Sequence, residues 1–227
     1  GGSASGSEVL YRGLQRVAEN KPVYAYIRGI GASGGYYLCC AASQVISLPT
    51  ALVGSIGVIY MRPVLEQLLS RVGIEFSIYK SGRLKDMTGF WRQPTVEEST
   101  KFQELIDEIY DNFVSVVARA RRLNEAKVRE LATGEVVTAL RGLEVGLVDQ
   151  IGDFEDALNA AAEAGKTKPR PKWLHPKRGL AQKLMGRSAG QGSFNSLAES
   201  LHRVLTGGIY YLEPSHLLGG EYPEPNG

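Results

Sequence analysis

The sequence predicts an α/β protein whose helices and strands alternate along one main domain. Its 227 residues are 43% hydrophobic and 22% charged, a composition typical of a globular domain with a real core. Short apolar runs that end at glycine alternate with longer runs in which apolar residues recur at helical spacing. No run approaches the roughly 18 apolar residues of a membrane span. We therefore expect a layered α/β fold.

The first half of the chain supplies two helices and two strands. Residues 7–20, "SEVLYRGLQRVAEN", predict a helix behind a possible capping serine. The run 21–29, "KPVYAYIRG", predicts a short buried strand that ends at glycine. A helix from about residue 34 to 42 and a strand over 44–48 follow.

The second half continues the alternation. Residues 63–73 predict a helix with proline in its first turn and glycine at its end. The run 74–82, "IEFSIYKSG", alternates as a strand does, and residues 96–123 form a long amphipathic pattern that predicts a core-facing helix. The segment 143–165 predicts the end of a helix, a strand and a further helix.

The composition changes after residue 165. Residues 166–187 carry eight lysines and arginines and no acidic residue, and a Gly/Ser-rich stretch and a Tyr/Pro/Gly-rich end follow. Such a run could meet anionic lipid headgroups, but it is more often a solvated linker. We therefore expect a main domain over 1–165, and a basic linker with a C-terminal tail over 166–227.

Charge and cysteine content exclude several classes. The formal net charge is only +2, so no global field indicates nucleic-acid binding. The two cysteines, Cys39 and Cys40, are adjacent and cannot form a disulfide framework. Their apolar surroundings indicate buried core residues rather than redox or metal chemistry. We expect neither a metal nor a cofactor.

One serine lies where a nucleophile could lie. In "GIGASGGYYLCCAAS", residues 29–43, Ser33 stands between small residues at a predicted strand-to-helix turn. Small neighbours permit strained backbone angles, as in a nucleophile elbow, although the pattern is not G-x-S-x-G. The first turn of the next helix would offer unpaired N–H groups to an oxyanion. Ser33 could equally be an ordinary helix N-cap.

A catalytic serine needs a base within hydrogen-bond reach. The three histidines, His175, His202 and His216, all lie in the basic segment or the tail, which argues against a Ser/His/Asp triad. A lysine can replace histidine when burial lowers its pKa. Lys80 and Lys85 in "YKSGRLKDM" are the candidates, and the residues alone do not choose between them.

Three motifs in order carry a family resemblance. The stretches "GASGGYYLCCAASQVISLPTALVGSIGVIY", "IEFSIYKSGRLKDM" and "GLEVGLVDQIGDFEDAL" closely resemble the signal peptide peptidase A family, whose members are membrane-associated serine peptidases with a Ser/Lys dyad. The similarity covers roughly residues 1–164. It implies the Clp protease/crotonase-like fold, a spiral of β-β-α units, with N-terminal strands missing.

The resemblance also implies the dyad. It makes Ser33 the nucleophile and Lys85, the second lysine of a "KSG-x-x-KD" stretch, the base. Lys80 matches the "YKS" lysine of other members and is the alternative base. Asp86 beside Lys85 should face away from Ser33, because a nearby carboxylate would raise the pKa of the base.

Further roles follow from the same resemblance. Ser55, in "GSIG", would hydrogen-bond the base lysine, although it could also be a turn serine that bonds its own backbone. The N–H groups of Gly34 and Gly2 would form the oxyanion hole. Gly1 and Gly2 look like the surviving half of a "PGG" loop.

The implied function is endopeptidase action on remnant signal peptides and other hydrophobic or unfolded peptides. Family members form homo-oligomers and are held at the membrane by an N-terminal anchor absent from this chain, with the catalytic domain on the extracytoplasmic side. Two other classes stay open. One is a non-catalytic scaffold of the same fold, and the other is a crotonase-type acyl-CoA enzyme that would need neither Ser33 nor Lys85.

Overall fold

The computed structural model describes residues 1–174 and 208–211. The three histidines, and most of the C-terminal tail, lie outside these residues. Within them, the helices are α1 (Ala4–Ala18), α2 (Gly34–Cys39), α3 (Glu66–Arg71), α4 (Val96–Arg121), α5 (Glu125–Leu131), α6 (Ala139–Glu144) and α7 (Phe154–Ala164). The strands are β1 (Gly2–Ser3), β2 (Tyr24–Ile27), β3 (Ile30–Ala32), β4 (Gln44–Ser47), β5 (Leu52–Gly54), β6 (Ile59–Met61), β7 (Val136–Thr138), β8 (Gln150–Ile151) and β9 (Gly208–Tyr211).

Successive β-β-α units build two sheets, and each unit contributes a strand to both. The order β2, β3, α2 is followed by β4, β5, β6 and α3. Strand β2 pairs in parallel with β4, and β3 pairs in parallel with β5, so each unit adds one strand to each sheet. The sheets have the orders β2-β4-β8, with β8 parallel, and β3-β5-β7, with β7 antiparallel. The predicted α/β class and its β-β-α spiral are confirmed.

A third three-stranded sheet has the order β1-β9-β6. Strand β1 pairs with β9 in antiparallel register, with Gly2 opposite Tyr211 and Ser3 opposite Tyr210. Helix α1 begins directly after β1, and the hydroxyl of Ser3 accepts from the N–H of Gly6 at 3.2 Å. The cap is therefore Ser3 rather than the predicted Ser7, which is buried within the helix.

The core lies where α2 and α4 meet the sheets. Tyr36 and Tyr37 of α2 and Phe113 of α4 have no exposed surface. The rings of Tyr37 and Phe113 meet edge to face at 5.1 Å. Burial of side chains of this size stabilises the fold by about 1.5–3 kcal/mol each. The second half of the long helix's apolar stripe thus faces the core, as the sequence predicts, whereas Leu105 in the first half is 40% exposed.

The chain divides into two compact units. The larger unit contains Gly1–Tyr60 and Thr95–Pro169, and the smaller unit contains Met61–Pro94. Short stretches of the remaining described residues belong to each.

The predicted strand over 74–82 is wrong. Residues 74–80 adopt neither helix nor strand, because a strand needs a hydrogen-bonded neighbour and the described residues supply none here. Within the smaller unit, the ring of Phe76 stacks on Trp91 at 5.4 Å and meets Phe90 edge to face at 6.0 Å.

Candidate active site

Ser33 lies at the junction between β3 and α2, in a strained backbone conformation. Its φ is 56° and its ψ is −123°, a combination that side-chain-bearing residues rarely adopt. Its N–H donates to the carbonyl of Gly54 at 2.8 Å, and its carbonyl accepts from the N–H of Tyr37 at 2.9 Å. The residue is 1% exposed. Both neighbouring elements therefore fix its backbone in place.

The hydroxyl of Ser33 is not used as a helix cap. Ser33 occupies the N-cap position of α2, yet its side chain accepts no hydrogen bond from the first turn. By contrast, Thr95 caps α4 with its hydroxyl, and Glu98 completes the capping box. A strained residue costs about 1–3 kcal/mol and is found most often at functional sites. The ordinary N-cap interpretation of Ser33 therefore has no support in the geometry.

Ser55 lies at the end of the neighbouring strand and is also strained. It follows Gly54, whose partner in the β3–β5 register is Ala32. Its φ is 49°, and its N–H donates to the carbonyl of Glu135 at 2.7 Å. Gly54 has a φ of 92°, and a Cβ there would lie 3.0 Å from the same carbonyl, so this bend requires glycine. The structure thus brings Ser33 and Ser55 to adjacent strand ends.

Two buried tyrosines hold the helix that carries Ser33. The hydroxyl of Tyr36 donates to the carbonyl of Leu147 at 2.8 Å, and burial raises the pKa of Tyr36 well above its usual value. The hydroxyl of Tyr37 donates to Glu8 and accepts from Asn112 Nδ2 at 3.1 Å. These contacts tie α2 to α1, α4 and the segment before β8. Sequence reasoning missed them, because each partner is far away in the chain.

The electrostatics of Glu8 suit this position. Partial burial alone would raise the pKa of Glu8, but hydrogen bonds from Tyr37 and Arg12 outweigh it and hold the pKa below its ordinary value. Arg12 Nε lies 2.6 Å from Glu8 Oε1. The carboxylate therefore stays ionised near neutral pH and keeps accepting from the tyrosine.

The two cysteines are core residues, as predicted. Both are free thiols, and Cys40 is buried. Burial raises the pKa of Cys39 to about 12 and that of Cys40 further still. Thiols of this kind stay protonated and unreactive at neutral pH.

The two glycines implied as oxyanion donors lie in the larger unit. Gly34 is the first residue of α2 and is buried, and the first N–H groups of a helix have no partner within it. Gly2 lies in β1, which runs close to α2. Their joint role stays a prediction.

The smaller unit holds both candidate bases, in different surroundings. Lys80 Nζ donates to the carbonyl of Arg83 at 3.0 Å and lies 2.5 Å from Asp86 Oδ1. Arg92 contacts the other oxygen of Asp86 at 3.1 Å. Lys85 is exposed, and within the described residues its side chain forms neither a hydrogen bond nor an ion pair. The pairing of Ser33 with Lys85 stays a prediction.

An open cavity of about 430 Å³ adjoins Ser55 in the larger unit. Its walls come from the segment after β5, from α4 and from the turn before β7. The lining residues are Ser55, Gly57, Val58, Ile59, Gln103, Ile106, Asp107, Tyr110, Ala132, Thr133 and Gly134. Most of this surface is apolar, and Asp107 is its only carboxylate.

The described residues contain neither a metal-binding cluster nor a membrane-spanning helix. Residues 1–174 and 208–211 contain no cluster of three His, Cys, Asp or Glu side chains that could hold a metal ion. In the same part of the chain, no helix has the length and hydropathy needed to cross a membrane.

These features define a class: an α/β protein of repeated β-β-α units, with a strained, buried serine at the start of a helix. Comparison with known proteins identifies the family, since residues 15–168 match peptidase family S49. The chain therefore belongs to peptidase family S49, and the resemblance to the signal peptide peptidase A family is confirmed.

Individual relatives agree with this assignment. A Synechocystis protein is 41% identical over 162 residues, which are 71% of this chain and 58% of the relative. "Protease 4" of Salmonella typhi is 34% identical over 169 residues, 74% of this chain and 27% of the relative. The chloroplastic "Serine protease SPPA" of Arabidopsis thaliana is 31% identical over 164 residues, which are 72% of this chain and 24% of the relative. The chain spans about half the length of the first three relatives it matches.

Two solved structures show a distant likeness. An enoyl-CoA hydratase/isomerase from Marinobacter aquaeolei has a TM-score of 0.36 and 18% identity, covering 93% of this chain and 55% of that one. A peptidase from Plasmodium falciparum has a TM-score of 0.36 and 9% identity, covering 63% of each. Scores this low carry no argument about activity.

Proposed function

We propose that this chain is the catalytic part of a serine endopeptidase with a Ser/Lys dyad, in which Ser33 is the nucleophile. One observation carries the proposal: Ser33 is held at a positive φ at the start of α2, with its hydroxyl unused as a cap. Membership of peptidase family S49 supports the peptide bond as the bond that the protein cleaves.

In this mechanism, neutral Lys85 accepts the proton of Ser33 as the hydroxyl oxygen attacks a peptide carbonyl. The resulting oxyanion is stabilised by the N–H groups of Gly34 and Gly2. The lysine then donates the proton to the leaving amine, and an acyl-enzyme forms. Water, deprotonated by the same lysine, hydrolyses the ester and releases Ser33. Ser55 orients the lysine amine.

The contacts of the two lysines support Lys85 as the base. The side-chain nitrogen of Lys80 donates hydrogen bonds to the carboxylate of Asp86 and to the carbonyl of Arg83. Asp86 is shared by Lys80 and Arg92, so it does not pair with Lys85. Lys80 is better explained as part of an ion-pair network than as a proton acceptor.

Lys85 is exposed, whereas the lysines that serve as general bases are buried ones. We propose that a bound peptide or a neighbouring subunit covers it. Exposed apolar side chains on the smaller unit, among them Leu68, Val72, Ile74 and Tyr79, support an assembly of several copies. The active protein would thus be a homo-oligomer.

The substrates we propose are remnant signal peptides and other unfolded or hydrophobic peptides, cut at the membrane on its extracytoplasmic side. The resemblance to the signal peptide peptidase A family supports this class. An extended peptide would add as a strand beside the site, so backbone bonds would give affinity and pockets would give selectivity.

A fluorophosphonate probe tests the function directly. We expect covalent labelling at Ser33, located by peptide mass spectrometry, and loss of both labelling and peptide cleavage in Ser33→Ala. A CoA-binding measurement is the companion experiment, since a crotonase-type enzyme would bind CoA and would not need Ser33. Folded protein that neither labels nor cleaves any peptide would instead favour a non-catalytic scaffold.

A further inference from the structure

The cavity beside Ser55 combines an apolar lining with a single carboxylate. Val58, Ile59, Ile106 and Ala132 supply the apolar surface, and Asp107 supplies the charge. Its volume of about 430 Å³ lies within the range of pockets that bind a small molecule, so it has room for one long side chain. A lysine or arginine fits such a lining, because its stem packs on apolar surface while its charged end stays near water.

Within the described residues, Asp107 lacks the cationic partner that two nearby acidic residues of α4 have. Glu104 pairs with Lys101 at 2.6 Å, and Asp111 pairs with Arg129 at 2.8 Å. Within the described residues, Asp107 accepts only from the side-chain amide of Gln103, at 2.7 Å, and pairs with no cation. The carboxylate that lines the cavity therefore retains capacity for a positively charged partner.

The cavity also adjoins the end of β5, the strand that pairs with β3 just before Ser33. Ser55 lines it, and the preceding residue, Gly54, accepts the backbone hydrogen bond of Ser33. A peptide whose scissile bond lies at Ser33 would therefore pass close to the cavity.

From these observations we propose that the cavity is a specificity site for a lysine or arginine side chain of the peptide substrate, with Asp107 as its ionic partner. The proposal rests on the proposed peptidase function. It also fits the substrate class, because signal peptides join a positively charged segment to an apolar one.

Matched peptides test the charge preference. Each set carries lysine, acetyl-lysine or norleucine at one position, scanned over three positions on each side of the scissile bond. We expect one position at which lysine raises kcat/KM about tenfold over the two uncharged residues, as expected for one hydrogen bond to a charged group. The preference should weaken with added salt.

Asp107→Asn is the decisive variant, since it keeps the size of the side chain and an acceptor for Gln103. We expect the lysine-to-norleucine ratio of kcat/KM to fall to about one to two, because most of the tenfold preference comes from the charge. Glu104→Gln is the matched control, because it removes one charge from the same helix outside the cavity, and it should keep the wild-type ratio. An unchanged ratio in Asp107→Asn, or an equal loss in both variants, would overturn the proposal.

A binding measurement separates this proposal from the proposed function. Ser33→Ala protein is titrated with fluorescent lysine and norleucine peptides, and anisotropy reports binding without cleavage. Tighter binding of lysine peptides that Asp107→Asn abolishes supports the cavity even if no peptide is ever cut. If the wild type cleaved all peptides, and lysine and norleucine peptides bound equally well, the peptidase function would remain supported. The proposed specificity site would be wrong.

Discussion

Lys80 Nζ lies 2.5 Å from Asp86 Oδ1, and this ion pair distinguishes Lys80 from Lys85, the other candidate base. The hydrogen bond from Lys80, with those from Arg92, outweighs the effect of burial and holds the pKa of Asp86 below its ordinary value. Asp86 thus remains ionised and keeps its contact with Lys80. Lys85, five residues further along, has no such partner within the described residues.

The lysine assignment predicts unequal losses. Lys85→Ala should lower kcat about 10²–10⁴-fold, the usual contribution of a general base, with little change in the free energy of unfolding. Lys80→Ala should lower kcat only a few-fold, since it removes an ion-pair partner rather than the proton acceptor. Steady-state kinetics on one peptide checks both. The reverse order of losses would transfer the role of base to Lys80.

The strain at Ser33 predicts a gain in stability when activity is removed. Ser33→Gly should raise the free energy of unfolding by about 1–3 kcal/mol, because glycine tolerates this φ without steric cost. Ser33→Ala keeps a Cβ and should remain near the wild type. Urea unfolding of the two inactive variants measures the difference. Equal stability of Gly and Ala variants would show that the backbone is not strained.

The contact between Tyr37 and Glu8 predicts a shared role in holding α2. Tyr37→Phe removes only the hydroxyl and should cost about 1–3 kcal/mol, because Glu8 and Asn112 each lose a buried partner. In Glu8→Gln the amide can still accept, so the loss should be smaller. A double-mutant cycle by urea unfolding gives the coupling, and strictly additive losses would contradict the contact.

The Arg121–Asp149 pair predicts acid sensitivity. The two guanidinium nitrogens lie 2.9 and 2.6 Å from the carboxylate, which also accepts from the N–H of Val45 at 2.7 Å. Burial alone would raise the pKa of Asp149, but these bonds outweigh it and lower the pKa. The resulting stability is therefore present above the unfolded pKa of about 3.9 and is lost as pH falls through the folded value.

Asp149→Asn tests that sign. At pH 7 it should lower the free energy of unfolding by about 1–2 kcal/mol, a figure reduced for the partial exposure of the carboxylate. As the pH falls below about 4, the difference from the wild type should shrink, because the wild-type carboxylate is then protonated too. If the difference in the free energy of unfolding stayed constant down to pH 2.5, ionisation of Asp149 would not stabilise the fold.

Features with local signals were predictable from the sequence. The long helix α4 has an uninterrupted 3.6 period, and Ser33 stands out between small residues at a turn. The strands β3, β5 and β7 have three residues each, too few to show an alternation, and they exist because they pair with one another. The run 74–82 shows the opposite case, where alternation occurs without a strand partner.

The contacts that hold the candidate site had no local signal. Tyr37 and Glu8 are 29 residues apart, and Val45 and Asp149 are 104 apart, so neither pair could be found by spacing. The positive φ of Ser55 is set by Glu135, whose carbonyl accepts from the Ser55 N–H across the β5–β7 pairing. The position of Asp107 in the cavity lining likewise depends on residues that are distant from it in the chain, such as Ser55 and Gly134.

The central claim is that Ser33 is an activated nucleophile, and the rate of its fluorophosphonate labelling tests this most directly. The rate is measured on assembled wild-type protein and on Lys85→Ala, with each adduct located by mass spectrometry. The account predicts one adduct, at Ser33, formed at least about a hundredfold more slowly without the lysine. An unlabelled Ser33 in folded, assembled protein, or peptide cleavage that persists in Ser33→Ala, would contradict it.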